Sequence, residues 1–224
     1  MTKPVLCVTT SHPIKGKAGI PTGFYLAELP HPLEVIEDAG FETVIASVRG
    51  GQPPIDGFDL SDPVNAKYWN EKGLYERLAN TPALSELNGA DYSAVFFAGG
   101  HGTMWDFADS ADVQRIIREV YESGGVVSTV CHGLMALVNA KLSDGSYLVN
   151  GKNVATFTNA KEAEVQATEI VLFLLQTALE NHGATYHAAP NWSDNVIVDG
   201  RLITSQNPAS TKTVGVKVVD ALKG

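Results

Sequence analysis

Val126-Val127-Ser128-Thr129-Val130-Cys131-His132-Gly133-Leu134-Met135-Ala136 decides how this chain folds. A β-branched apolar run, the pattern of a strand buried on both faces, ends at a cysteine; a glycine follows two residues later and an apolar helical segment begins at once. Strand, sharp turn and helix in direct succession are the substance of a βαβ unit. The preceding helix is equally plain. Residues 111–123 place Val113, Ile116, Ile117 and Val120 at helical spacing and stop at Gly124-Gly125, just before the strand.

Working outward, the same alternation spans the chain. Residues 5–9, 42–47 and 93–98 are further near-continuous apolar runs, and 185–187 is a weaker strand candidate. Helical patterns cover 133–138, 169–182 and 210–222, together with 25–38, where Pro30 and Pro32 interrupt the period. Asp199-Gly200 between 195–198 and 201–204 signals a hairpin, and Asn150-Gly151 signals a second small one over 147–155. No linker, charge run or repeat divides the sequence. The predicted fold is therefore α/β: one flavodoxin-like domain over residues 1–224, with a mostly parallel sheet, helices on both faces and small antiparallel hairpin additions.

The 224 residues are 44% apolar and 18% charged, enough to bury a sizeable core. A net charge of −9 argues against sequence-independent binding to nucleic acid or to an anionic membrane surface, both of which want a basic patch. The apolar run after Met1-Thr2-Lys3-Pro4 is too short for a signal peptide or a membrane span, so a cytoplasmic protein is expected. Two cysteines make neither a disulfide framework nor a thiolate metal site. Cys7, inside the first strand, reads as a small buried hydrophobe.

In open parallel sheets, ligands sit beyond the carboxyl ends of the strands, which directs attention to the residues after Thr9, Ala98 and Val130. At the third of these, Cys131 stands where a nucleophile elbow would place it. The turn lifts the thiol above the sheet, Gly133 permits close approach of helix and strand, and a helix N-terminus favours the thiolate. His132, the next residue, is the candidate to take the thiol proton or to stabilise the anion, although adjacent side chains on a turn need not face each other. A structural buried cysteine explains the spacing equally well. Thr129 also stands where a glycine often precedes the nucleophile, which weighs against an α/β-hydrolase or a standard glutamine amidotransferase. After the 93–98 run comes Gly99-Gly100-His101-Gly102-Thr103, whose glycines let backbone N–H groups approach a ligand as an oxyanion site requires. No Gly-Lys-Ser/Thr follows, so it is not a phosphate loop.

Four blocks together resemble the ThiJ/PfpI superfamily. They are Phe97-Ala98-Gly99-Gly100-His101-Gly102-Thr103, the segment from Gly124-Gly125 to Val130-Cys131-His132-Gly133, Phe157-Thr158-Asn159 with Glu162, and Gly200-Arg201-Leu202-Ile203-Thr204 with Asn207-Pro208-Ala209-Ser210. They run in the family's order across nearly the whole chain and are most similar to the branch of heat-shock-inducible chaperones and glyoxalase III proteins. The resemblance implies a class I glutamine amidotransferase-like fold, Cys131 as nucleophile, His132 as its base and Glu162 as the acid orienting the histidine. It also implies Glu28 as a buried carboxyl hydrogen-bonded to the thiol, with Gly99, Gly100 and His101 lining the oxyanion and substrate site. Read without it, Glu28 is a surface helix residue and Glu162 a solvated one, with Glu164 an equal candidate for the histidine's partner.

The implied activity needs no cofactor and no glutathione: a 2-oxoaldehyde such as methylglyoxal becomes a 2-hydroxy acid through a Cys131 hemithioacetal. The alternatives are a cysteine-dependent hydrolase (amidase, peptidase or protein deglycase) and a holding chaperone that needs no turnover. Glutamine amidotransfer fits poorly, because it pairs histidine and glutamate as H-x-E near the C-terminus. Some relatives bind a metal through two histidines and a carboxylate, but no H-x-x-x-H pair or tight cluster stands in this sequence; His12, His31, His182 and His187 are scattered, and no metal is expected. Relatives are often homodimers, which leaves homodimerisation open here. Trp69, Trp105 and Trp192 read equally as core or pocket wall.

Overall fold

The computed structural model describes residues 3–224, so Met1 and Thr2 of the N-terminal reading lie outside the described residues. In chain order the main sheet uses β1 (Val5–Thr9), β2 (Thr43–Ser47), β3 (Arg49–Gly51), β4 (Thr81–Ala83), β5 (Ala94–Phe97), β6 (Val126–Val130), β7 (Val196–Asp199) and β8 (Leu202–Ser205). Their spatial order is β7-β8-β6-β5-β1-β2-β4-β3. The six strands from β8 to β4 run parallel; β7 and β3 close the edges antiparallel. Every residue of β1, β5 and β6 is buried, which is why these strands read as unbroken apolar runs rather than alternating ones.

Helices flank this sheet. The helix Ala111–Glu122 buries Val113, Ile116, Ile117 and Val120 against β5 and β6, and the Ser110 hydroxyl caps it by accepting from the Val113 N–H at 3.2 Å. At about 2 kcal/mol per buried aliphatic side chain, that stripe outweighs any intrinsic helix preference. The helices Pro30–Asp38 and Thr211–Lys223 pack on each other, the latter also against β6 and β8. The Asp199-Gly200 signal forms the β7–β8 hairpin, with Gly200 at φ 62°. Among the described residues no helix is long and apolar enough to cross a membrane.

Four expectations need correction. The 25–38 segment is not one interrupted helix: Phe24–Tyr25 is extended, Leu26–Glu28 is a 3-10 turn, and the helix runs Pro30–Asp38. Pro30 sits at its first turn, where a preset φ helps and the missing N–H is not needed, so proline starts this helix rather than breaking it. The 169–182 pattern yields only Leu175–Asn181, since β-branched Ile170 and Val171 disfavour helix near its start. No hairpin spans 147–155: Tyr147 bridges Lys141, and Asn153–Val154 pairs in parallel with Thr185–Tyr186. That pairing also keeps the weak 185–187 strand out of the main sheet. The 133–138 helix is a 3-10 turn, Cys131–Leu134, continued by Met135–Val138, too short for a sizeable dipole at the thiol.

Candidate active site

At the end of β6 the chain turns with Cys131 at φ 56°. A side chain in the left-handed region costs on the order of 1–3 kcal/mol and persists only where the surroundings impose it. What imposes it is crowding: a Cβ at Gly133 would lie 2.3 Å from the Phe97 carbonyl oxygen, so only glycine lets the new helix pass β5 this closely. Thr103 Oγ1 stands 2.8 Å from the His132 carbonyl and 2.9 Å from that of Gly100, tying the elbow to the glycine loop after β5.

The side chains after the elbow form a connected set. His132, 1% exposed, places Nδ1 3.5 Å from Cys131 Sγ and Nε2 2.8 Å from Glu162 Oε2. The other carboxylate oxygen, Oε1, lies 2.9 Å from His101 Nε2. An imidazole that donates through Nε2 to a carboxylate leaves Nδ1 bare, free to accept the thiol proton. Burial pushes Glu162 up, but hydrogen bonds from His101 and His132 and the charge of His132 outweigh it and hold the carboxyl at about 2. Burial and the neighbouring His101 lower His132 to about 4 against the pull of Glu162, so its ring is neutral at pH 7. Glu164 accepts instead from Asn191 and Trp192, so the fold brings Glu162, and not Glu164, to the histidine.

Glu28 reaches the thiol from the Leu26–Glu28 turn and is fully buried. Its Oε2 accepts the Gly99 N–H at 2.7 Å; its Oε1 has no partner of hydrogen-bond geometry, although Cys131 is close enough to act on its acidity. Burial raises the carboxyl to about 8, against the lowering effect of the Gly99 and Cys131 contacts. A carboxylate oxygen left bare in an apolar interior is costly, whereas a protonated Oε1 can donate to sulfur. Burial, then the charge of Glu28, pushes the Cys131 thiol up, while the His132 N–H favours the thiolate. A proton on Glu28 converts its repulsion into a hydrogen bond, so thiol and carboxyl titrate as a pair.

A cavity of about 520 Å³ opens over this set, lined by Glu28, Gly100, His101, Cys131 and His132 with Tyr25 and Trp192 on its walls. Among the described residues Gly100 carries no backbone hydrogen bond on its N–H, and its φ of 98° suits glycine. Gly99 departs from the oxyanion reading: its N–H is committed to Glu28, and it does not line the cavity. Sequence reasoning missed Tyr25, Lys15 and Phe157 as cavity walls. Phe157 stood in a quoted block and packs its ring 4.2 Å from that of His132; nothing local marks Lys15. Of the tryptophans only Trp192 lines this cavity; Trp105 stacks on His12, and Trp69 meets Phe58 and Tyr75 edge-on. Cys7 is fully buried and pushed up to about 12 by burial, an inert thiol.

The sequence holds no tight metal-binding cluster, yet among the described residues the fold assembles one group that could hold an ion, His101, His132 and Glu162, with ligand atoms within 4.8 Å of one another. The Nε2 atoms of both histidines already face the Glu162 oxygens at hydrogen-bond distance, and His132 turns its Nδ1 to the thiol. Glu162 is thus engaged on both oxygens by hydrogen bonds within the protein. The other histidines are also engaged: His12 with the Ile14 carbonyl, His31 with Asp62, His182 with the Val138 carbonyl and His187 with Asn153.

A doubly wound sheet with a cysteine on a strained elbow, backed by an imidazole and two buried carboxyls, defines a class of α/β proteins built around a buried thiol at the end of a central strand. The chain belongs to the DJ-1/PfpI family, whose model matches residues 20–221. It is 32% identical to the Saccharomyces cerevisiae protein named glutathione-independent glyoxalase HSP31, over 99% of this chain and 98% of that one. Among solved structures it is similar to the Francisella tularensis Rapid Encystment Protein 24 kDa (37% identity, 99% of each chain, TM-score 0.95). It is likewise similar to glyoxalase III of Candida albicans (30% identity, 98% of this chain and 97% of that one, TM-score 0.90).

Proposed function

We propose that this protein is a glutathione-independent glyoxalase of the glyoxalase III kind, turning methylglyoxal or a similar 2-oxoaldehyde into the 2-hydroxy acid without a cofactor. The observation that carries the reading is the Cys131–Glu28 pair: a thiol beside a buried carboxyl whose pKa of about 8 suits it to give and take a proton near neutral pH. The names of the Saccharomyces and Candida relatives support the same activity.

In this reading the Cys131 thiolate adds to the aldehyde carbon, and Glu28 gives its proton to the resulting alkoxide, completing a hemithioacetal. The Glu28 carboxylate then removes the proton from that same carbon, forming an enediol, and returns it to the neighbouring carbon. The product is a thioester of the 2-hydroxy acid. Water attacks the thioester, with His132, oriented by Glu162, as the base; the acid leaves and the thiol is restored. The N–H groups of Gly100 and His132 hold the developing oxyanion. Atoms and electrons balance as oxoaldehyde plus water giving hydroxy acid, with no external oxidant or reductant.

Two free, buried cysteines support a reducing, cytoplasmic setting, and one apolar core cluster supports a single domain. Assay of the purified protein against 2-oxoaldehydes, amides and peptides, with no glutathione added, tests the proposal. Hydroxy acid from the oxoaldehydes supports it; turnover of amides or peptides alone replaces it with a hydrolase.

A further inference from the structure

Lys161 breaks a rule that the rest of the interior obeys. Its side chain is 0% exposed, yet Nζ has no hydrogen-bond partner among the described residues and joins no ion pair there. Buried charges are normally paired, because an ammonium stripped of water without compensation is among the costliest groups a core can hold. The cap fixes the backbone from which the side chain departs: Thr158 caps the helix Asn159–Glu164 by accepting the Lys161 N–H at 3.0 Å, one residue before Glu162.

The surroundings of the ammonium point to the catalytic thiol. Nζ lies 5.5 Å from the centroid of Phe157, whose ring packs against that of His132. Burial pulls the Lys161 proton off; the charges that hold it on are those of Cys131 and Glu164. Glu164 is exposed to solvent and already accepts from Asn191 and Trp192. The other groups facing the thiol do not supply a buried cation. Glu28 keeps its proton, His132 is neutral and Glu162 is an anion shared by His132 and His101. Lys15, at the cavity wall, is partly exposed and screened by water. A thiolate formed here adds a second negative charge to a buried cluster that already holds Glu162.

We propose that Lys161 is a positioning residue for charge: its unpartnered, buried ammonium stabilises the Cys131 thiolate through space, and the fold tolerates an orphaned cation because the thiol needs one. The claim rests on Cys131 as the nucleophile but not on the identity of the substrate. It sets stability against reactivity, a combination that a merely structural lysine would not produce.

The test compares wild type with Lys161→Met and Lys161→Arg. It measures iodoacetamide alkylation of Cys131 by mass spectrometry between about pH 5 and 10, the pH profile of kcat/KM, and Tm. Lys161→Met should raise the apparent thiol pKa by about one unit and slow alkylation at neutral pH about tenfold. Its Tm should equal or exceed that of wild type, because an apolar side chain of similar length replaces an uncompensated charge. Lys161→Arg should keep the wild-type alkylation profile. An unchanged profile in Lys161→Met overturns the proposal, and so does loss of folding or a lower Tm in that variant. Failure of wild-type Cys131 to alkylate at any pH instead removes the nucleophile itself, and the two failures are told apart by the wild-type trace.

Discussion

Replacing Glu28 with leucine tests the protonation state on which the chemistry turns, because the two states predict opposite signs. In the structure Oε2 is held by the Gly99 N–H, and Oε1 is the only part of the carboxyl left to face sulfur. If Oε1 carries the proton, Glu28→Leu removes a donor to the thiolate. A hydrogen bond to a charged group contributes about 1.5–3 kcal/mol, and one pKa unit corresponds to about 1.4 kcal/mol. The Cys131 pKa should therefore rise by about one to two units. If the carboxyl were ionised, the same change would remove a repelling charge and lower that pKa. Glu28→Gln is the control: its amide oxygen can still accept from Gly99 while its NH₂ group takes the place of the protonated oxygen. It should leave the thiol pKa within about half a unit of wild type and still lose turnover, since an amide carries no transferable proton. Thiolate absorbance near 240 nm, read against pH with Cys7 as the silent background, follows each variant. A fall in pKa in Glu28→Leu refutes the protonated carboxyl, and no change removes Glu28 from the site.

Cys131→Ala should abolish turnover with the fold intact, and iodoacetamide should label Cys131 well before the buried Cys7 in peptide maps. At φ 56° glycine should relieve strain, so Cys131→Gly should melt no lower than Cys131→Ala, against the usual glycine penalty of about 0.5–1 kcal/mol. Glu162→Gln cannot serve two imidazole N–H donors, and should lower kcat at least about a hundredfold while alkylation of Cys131 persists. The pH dependence of stability follows from the raised pKa of Glu28. Between the ordinary 4.5 and the folded value of about 8 the unfolded chain has lost a proton that the folded one keeps, so stability falls as pH rises through that window. The slope approaches about 1.4 kcal/mol per pH unit. Glu28→Gln should lack this loss, and denaturant melts at pH 5 and pH 8 compare the two proteins.

How much of this was legible in the sequence depends on how local each cause is. The Val126–Val130 strand and its Cys131 elbow stand out because burial on both faces writes a continuous apolar run and close packing demands Gly133. Local periodicity hides Glu28, which only the family resemblance points to, since Pro30 and Pro32 read as breaks in a longer helix when Pro30 in fact opens a new one and leaves Glu28 in a buried turn. The choice between Glu162 and Glu164, two residues apart, is settled only by which one His132 and His101 reach across the fold. Asn150-Gly151 misled for a related reason: the turn exists, but the strand after it pairs with Thr185–Tyr186, a partner no local signal announces. Lys161 is the extreme case. Its composition says surface, and only the assembled core shows it shut away beneath Phe157.

The most direct test of the account is conversion of methylglyoxal by the wild-type protein and by Cys131→Ala, in buffer free of glutathione and added metal, with the products identified by NMR. The account predicts one lactate formed for each methylglyoxal consumed by the wild type, and none above the uncatalysed background with Cys131→Ala. Lactate formation that survives loss of the thiol, or a wild-type protein that consumes no 2-oxoaldehyde at all, would contradict it.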